Sequence, residues 1–183
     1  MVIMMEWYDI LLIVLILIGA CGIIYIISYN KLMYYKTRIE RSENIIDEAL
    51  RNKYDKLTEL NIEIKKVIEK KDYLKEYIDL KDQKISNYEL DRKLVEAMNL
   101  VQELINDNSK LNNKEVNNIL KEIDEIDENL TSGKNFYNKN TTALNEAIRK
   151  FPSNIAAKVH NYRIKPYFDG KNMQDAIVDD FKL

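Results

Sequence analysis

The chain of 183 residues is poor both in residues that interrupt helices and in residues that carry chemistry, with four glycines, two prolines, one cysteine and one histidine. From Ile23 to Ser132 there are 110 residues without a single Gly or Pro. Tight turns draw on those two residues for positive or fixed φ, so a β or α/β fold over that stretch is excluded and long helices are expected. A lone thiol, Cys21, forms no disulfide within one chain. A lone His160 gives neither a Cys/His pair nor a His-based metal cluster. Glycines at 19, 22, 133 and 170 are too scattered for a phosphate-cradling loop. Basic residues are missing from the start: Glu6 and Asp9 come first, and all 28 Lys and Arg follow from Lys31 onward. The remaining chain carries 28 basic and 30 − 2 = 28 acidic residues. That balance lacks the clustered basic surface that phosphate binding needs, so nucleic acid is not an expected partner.

What is present is one long apolar run, Ile10 to Ile27. At about 1.5 Å per residue, its length as a helix is roughly 27 Å, close to one hydrocarbon core. Trp7 and Tyr8 stand at one end, and Tyr25, Tyr29 and Lys31 at the other, as interfacial anchors would. A transmembrane helix is expected over 10–29. Lys31, Lys36, Arg38 and Arg41 crowd one flank only, so the positive-inside rule places residues 1–9 outside the cell membrane and the body in the cytoplasm as a single-pass protein. An acidic start argues against a cleaved signal peptide. Ile18-Gly19-Ala20-Cys21 has the form of a lipoprotein acylation site, but the apolar run continues past Cys21 to Ile27, which favours a small residue in a lipid-facing helix. Gly19 and Gly22 lie three apart, not at the four-residue spacing of a dimer motif.

Beyond Asn30, apolar residues recur every three or four positions. Leu32, Tyr35, Ile39, Ser42, Ile46 and Leu50 lead into Leu57, Leu60, Ile64, Val67, Lys71, Leu74 and Ile78. A second stripe runs Leu94, Met98, Val101 and Ile105, and a third from Val116 through Ile123, Leu130, Gly133, Tyr137 and Leu144 to Phe151. These are faces of amphipathic helices packed on one another. Asn106 to Asn113 is a polar turn. The first turn has three candidate places, Asn52–Thr58, Lys70–Asp72 and Asp82–Asn87. Helix-length matching favours Lys70, because Glu115–Lys150 has 36 residues and a turn there gives partners of about 40 and 35. The expected fold is all-α: a transmembrane helix, then over 30–169 an antiparallel up-and-down bundle of three long helices plus a short C-terminal helix, and a flexible tail over 170–183. Three passes put Pro152 at the end away from the membrane, whereas four would return Lys158, Arg163 and Lys165 to the lipid surface. Ser153 or Asn154 is expected to cap a helix from Ile155 towards Tyr162.

Two groups of motifs carry a resemblance. Tyr29-Asn30-Lys31-Leu32-Met33, Ile46-Asp47, Leu50 and Lys53-Tyr54-Asp55 form one. Phe136-Tyr137-Asn138, Phe151-Pro152-Ser153-Asn154 and Lys165-Pro166-Tyr167-Phe168 form the other, in order and spacing. Over about residues 10–169 the chain resembles the LemA family of bacterial membrane proteins. It departs from that family in lacking a Trp near Glu43, in having Thr58-Glu59 where Pro-Asn is usual, and in having Gly133 where Ala is usual, which implies that 131–133 are helical. Relatives that are lipoproteins have Cys directly before the Tyr-Asn pair, whereas Cys21 lies eight residues before Tyr29. The resemblance implies a membrane-anchored α-helical bundle facing the cytoplasm, with no established enzymatic activity; no cofactor is expected.

Few residues suggest more than packing. The acidic run Glu122, Asp124, Glu125, Asp127 and Glu128 is interleaved with Ile123 and Ile126, which leaves the acids on a solvated face and not around a cation. His160, between Lys158 and Arg163, reads as a helix-end residue. Phe151, Pro152, Ser153 and Asn154, with Tyr162 and Arg163, form the candidate motif: either the end of a helix with Phe151 on the third stripe, or a partner-binding surface. The expected role is a scaffold or partner-binding module. A lipid-surface module acting through the basic C-terminal segment is the alternative. Expected partners are the lipid bilayer and an unidentified protein, with a homo-oligomer left open.

Overall fold

A computed structural model describes residues 7–68, 72–82 and 85–169. Five α-helices account for most of them: α1 (Trp7–Val67), α2 (Lys75–Ile78), α3 (Asn87–Asp107), α4 (Lys114–Arg149) and α5 (Ser153–Val159). Among the described residues there is no strand. The all-α fold with three long helices and a short C-terminal one is therefore as expected. The expected tail, 170–183, and residues 1–6 lie outside the described residues.

The chain divides into two compact units. One contains the described residues up to Ile39 and Lys139–Tyr167; the other contains Glu40–Asn138 with Phe168 and Asp169.

In the second unit α1 and α4 run antiparallel. Lys56 pairs with Glu122 at 2.7 Å and Lys53 with Asp127 at 2.6 Å. Gly133 faces Ile46, where a Cβ would stand 3.3 Å from the isoleucine Cγ1, so the residue there keeps the two helices close. The apolar packing is supplied by Ile46, Leu50, Leu57, Leu60 and Ile64 of α1 and by Val116, Ile123 and Leu130 of α4, all buried. Their helical spacing is the sequence pattern realised as a core. In α3 the buried residues are Leu94, Ala97, Val101 and Leu104, so the stripe is turned by one position from Met98 and Ile105, which are half-buried.

The first turn is not at Thr58. Thr58 Oγ1 donates to the Tyr54 carbonyl at 3.1 Å, a bond made within an unbroken helix. Helix α1 stops at Val67, and Lys65 pairs with Asp72 at 2.5 Å; residues 69–71 of the favoured Lys70 turn lie outside the described residues. The second long helix is shorter than the roughly 35 residues expected. Residues 72–82 instead return along α1 through α2 and a 3-10 turn at Asp79–Asp82. The Tyr54 hydroxyl donates to the Ile78 carbonyl, and Leu80 and Ile85 share a cavity with Asp47 and Arg51.

Helix α3 then begins at a capping box: Ser86 Oγ accepts from Glu89 N at 3.2 Å, and Glu89 Oε2 accepts from Ser86 N at 3.0 Å. It carries the chain back up. Asp91, near its start, meets Lys134 at 2.6 Å, far along α4, and its other end leads through 108–113 into the start of α4. That connection is the polar turn read from the sequence, closed by buried Leu111 and by Asn113 Oδ1 accepting from Val116 N at 3.0 Å.

Candidate functional site

In the first unit, the C-terminal motif lies beside the Tyr25–Lys36 part of α1. Tyr25 Oη and His160 Nε2 are 2.9 Å apart, and the His160 ring sits 4.5 Å, centroid to centroid, from that of Tyr29. The Tyr162 hydroxyl donates to Met33 Sδ at 2.9 Å. The expectation that Pro152 lies at the end away from the apolar run is therefore overturned. The reason is that α4 runs antiparallel to α1, so that its C-terminal end, and α5 after it, lie beside Tyr25–Met33.

Local backbone chemistry explains how α5 forms. The residue after α4 supplies its first acceptor, since Asn154 N donates to the Lys150 carbonyl at 3.0 Å, and Ile155 N donates to the Pro152 carbonyl at 3.2 Å. With those amides met, no side-chain cap is needed, and none is made. The helix starts at Ser153, not Ile155, and neither Ser153 nor Asn154 caps it. Ser153 is buried, and Asn154 Oδ1 is enclosed with no hydrogen-bond partner among the described residues. Helix α5 ends in a Schellman turn: Tyr162 N donates to the Ala157 carbonyl at 2.9 Å and Asn161 N to the Lys158 carbonyl at 3.2 Å, with Asn161 at φ 54°.

Phe151 departs from the third stripe. Helix α4 ends at Arg149, and the change of direction at Pro152 takes the phenyl ring off the packed face, leaving it 78% exposed. Ile155 and Val159 continue the same face of α5, at 50% and 61% exposure. Arg163 is exposed and Tyr162 half-buried. Of the proposed interface anchors, Trp7, Tyr8 and Lys31 are exposed, while Tyr25 and Tyr29 are half-buried against His160. Cys21, Gly19 and Gly22 lie on open helix surface.

Asn145 and Thr142, which the sequence did not single out, and Asn138, which it did, hold the segment after α5. Buried Asn145 accepts from Lys165 N at 2.9 Å and donates to the Lys165 carbonyl at 2.8 Å. Thr142 Oγ1 donates to Tyr167 Oη at 3.1 Å. In the other unit, Phe168 N donates to Asn138 Oδ1 at 2.9 Å, and the ring packs edge-on against Tyr88 and Tyr137.

The electrostatics of the first unit differ from those of the chain. Residues 7–39 and 139–167 hold nine basic side chains against two acidic ones, Asp9 and Glu146. Glu146 accepts from Lys150 at 2.9 Å; that bond and the Lys150 charge, with a smaller pull from Lys31, hold its carboxyl below the usual range. A groove of about 640 Å³ is lined by Tyr29, Met33 and Lys36 of α1, Leu144 of α4, and residues 160–165. Its polar groups are cationic or neutral, suited to holding an anion. The acids of the 122–128 run serve in part as ion-pair partners, through Glu122 and Asp127. Among the described residues, no three His, Cys, Asp or Glu side chains are grouped to hold a metal ion.

The stretch of α1 with exposed apolar side chains from Ile10 to Ile27 is long and apolar enough to cross a membrane, and none of it is buried. Together with the helical body, it fits the class of membrane-associated helical proteins. The LemA family profile matches residues 42–179, most of the chain, and the protein belongs to the LemA family. That match begins after the apolar stretch and after Tyr29-Asn30-Lys31-Leu32-Met33. No curated protein and no solved structure matches the chain.

Proposed function

We propose that the protein is a single-pass protein of the cell membrane, with its N-terminus outside and its helical body in the cytoplasm, acting as a non-enzymatic scaffold or partner-binding module. The observation that carries this reading is the exposure of the apolar stretch: side chains such as Leu15 and Ile18, each 67% exposed, have no protein core to enter. A contiguous apolar surface of that size is stable when lipid covers it. The one-sided flank of Lys31, Lys36, Arg38 and Arg41 supports the orientation.

Alkaline carbonate extraction of membranes tests the anchor. The native chain is expected to stay in the pellet, and Leu15→Lys/Ile16→Lys to move into the supernatant. Release of the native chain contradicts the reading. The scaffold role is tested by crosslinking in cells: recovery of a reproducible partner is expected, and Phe151→Ser with Asn154→Ala is expected to lose it while the fold is retained. Retention of every partner by a folded variant would limit the motif to a structural role.

A second reading, a module that senses the lipid surface through its basic C-terminal segment, is favoured by the excess of nine basic over two acidic residues in the unit that contains α5.

A further inference from the structure

We infer that the groove between α1 and residues 160–165 binds the phosphate-bearing headgroup of an anionic phospholipid in the cytoplasmic leaflet, an inference that rests on the membrane-spanning reading of α1.

Depth is the first argument. The apolar run ends at Ile27, and Tyr29, Met33 and Lys36 follow two, six and nine residues later. At about 1.5 Å per residue they stand roughly 3, 9 and 13 Å beyond it. The headgroup layer reaches roughly 5–8 Å past the hydrocarbon edge. Long cationic side chains reach back by several ångström, so Lys36 and Arg163 can meet a phosphate from the water side while Tyr29 marks the lipid side.

Charge is the second. Lys36, Arg163 and Lys165 line or border the groove. Glu146, the acid on the facing helix of this unit, is engaged by Lys150. A guanidinium beside an ammonium is a suitable donor set for a phosphate, one planar and bidentate, the other compact.

Preorganisation is the third. The cationic segment does not have to be ordered by its ligand. The Schellman turn at Asn161, the Tyr25–His160 contact and the paired Asn145 bonds to Lys165 already fix its backbone. Exposed Ile155 and Val159 on α5, with exposed Phe151 just before the helix, supply an apolar shelf of the kind that rests on a bilayer surface. A headgroup is favoured over a soluble anion because the groove begins where the apolar run ends.

The test uses the full chain in nanodiscs of phosphatidylcholine with or without phosphatidylglycerol, and counts retained lipids by native mass spectrometry after transfer to detergent. Phosphatidylglycerol is expected to be retained over phosphatidylcholine. Arg163→Gln/Lys165→Gln is expected to lose that preference roughly tenfold, and Lys36→Gln several-fold, whereas the charge-matched Lys110→Gln/Lys121→Gln keeps it. Circular dichroism verifies that each variant is folded. Equal retention of the two lipids by the native chain, or unchanged retention in both groove variants, overturns the inference while leaving the anchor reading intact. Displacement of the lipid by millimolar inorganic phosphate makes the groove a soluble-anion site and also overturns it. Failure of the native chain to enter nanodiscs overturns the anchor reading and this inference together.

Discussion

The His160 imidazole at the end of α5 stands 2.9 Å from the Tyr25 hydroxyl, although the two residues are 135 positions apart. This contact fixes the C-terminal motif beside the last turns of the apolar stretch. An exposed hydrogen bond of this kind contributes about 0.5–1 kcal/mol. Tyr25→Phe is therefore expected to raise amide exchange across 153–162 by roughly two- to fivefold while amides of 123–137 keep their rates. Hydrogen-exchange mass spectrometry of the lipid-embedded chain reads both segments at once.

Asn161 holds the left-handed position of the Schellman turn. Asn161→Gly is expected to be tolerated. Asn161→Val forces a β-branched residue into that region and is expected to cost about 1–2 kcal/mol. A lower thermal midpoint for the valine variant alone is the signature; equal midpoints for the two variants contradict the assignment.

Lys53 is 3% exposed and its ammonium meets both oxygens of Asp127, at 2.6 and 2.8 Å. Removing the acid strands a buried charge, whereas replacing the lysine by an apolar side chain leaves a part-exposed carboxylate free to hydrate. Asp127→Asn is expected to cost about 2 kcal/mol, less than a fully buried pair because Asp127 is 40% exposed, and Lys53→Met about 1 kcal/mol or less. Denaturant unfolding of the two variants measures the asymmetry.

Much of this architecture is legible in the residues themselves. The apolar run, the Asn-rich loop before α4 and the length of α4 follow from composition and spacing, because each is a local property. The return pass over 72–82 is not legible in that way, although Asp82–Asn87 is among the candidate turns. Tyr73, Leu74, Tyr77, Ile78 and Leu80 keep an approximately helical rhythm, no Gly or Pro marks a break, and only the Ser86–Glu89 pair signals a new helix start. The candidate site was half legible. Phe151 to Asn154, Tyr162 and Arg163 stand out as a motif, but Asn145 reads as one more asparagine until the chain folds it under Lys165. The even balance of 28 basic and 28 acidic residues likewise concealed a division that appears only once residues 139–167 are brought beside the Tyr25–Lys36 part of α1.

The capping box at the start of α3 predicts a response to acid. The Ser86 backbone amide, and then its hydroxyl, hold the Glu89 carboxyl below its ordinary value of 4.5. A carboxyl whose folded value is depressed stabilises the fold fully above its unfolded value, and the contribution is lost as pH falls from near 4.5 through the lower folded value. The amide and Cα shifts of 87–90 are expected to move towards coil values over that range, and Glu89→Gln is expected to remove the pH dependence from this turn. A native helix start insensitive to that range contradicts the role given to Glu89.

The crossing of the membrane by α1, with the helical body inside, is tested most directly by cysteine accessibility. In a Cys21→Ser background, Met5→Cys and Lys110→Cys variants are exposed to a membrane-impermeant maleimide in intact cells and again after lysis. The expected result is labelling of Met5→Cys in intact cells and of Lys110→Cys only after lysis. Labelling of Lys110→Cys in intact cells, with Met5→Cys protected until lysis, contradicts the orientation and with it the placement of the basic groove on the cytoplasmic leaflet.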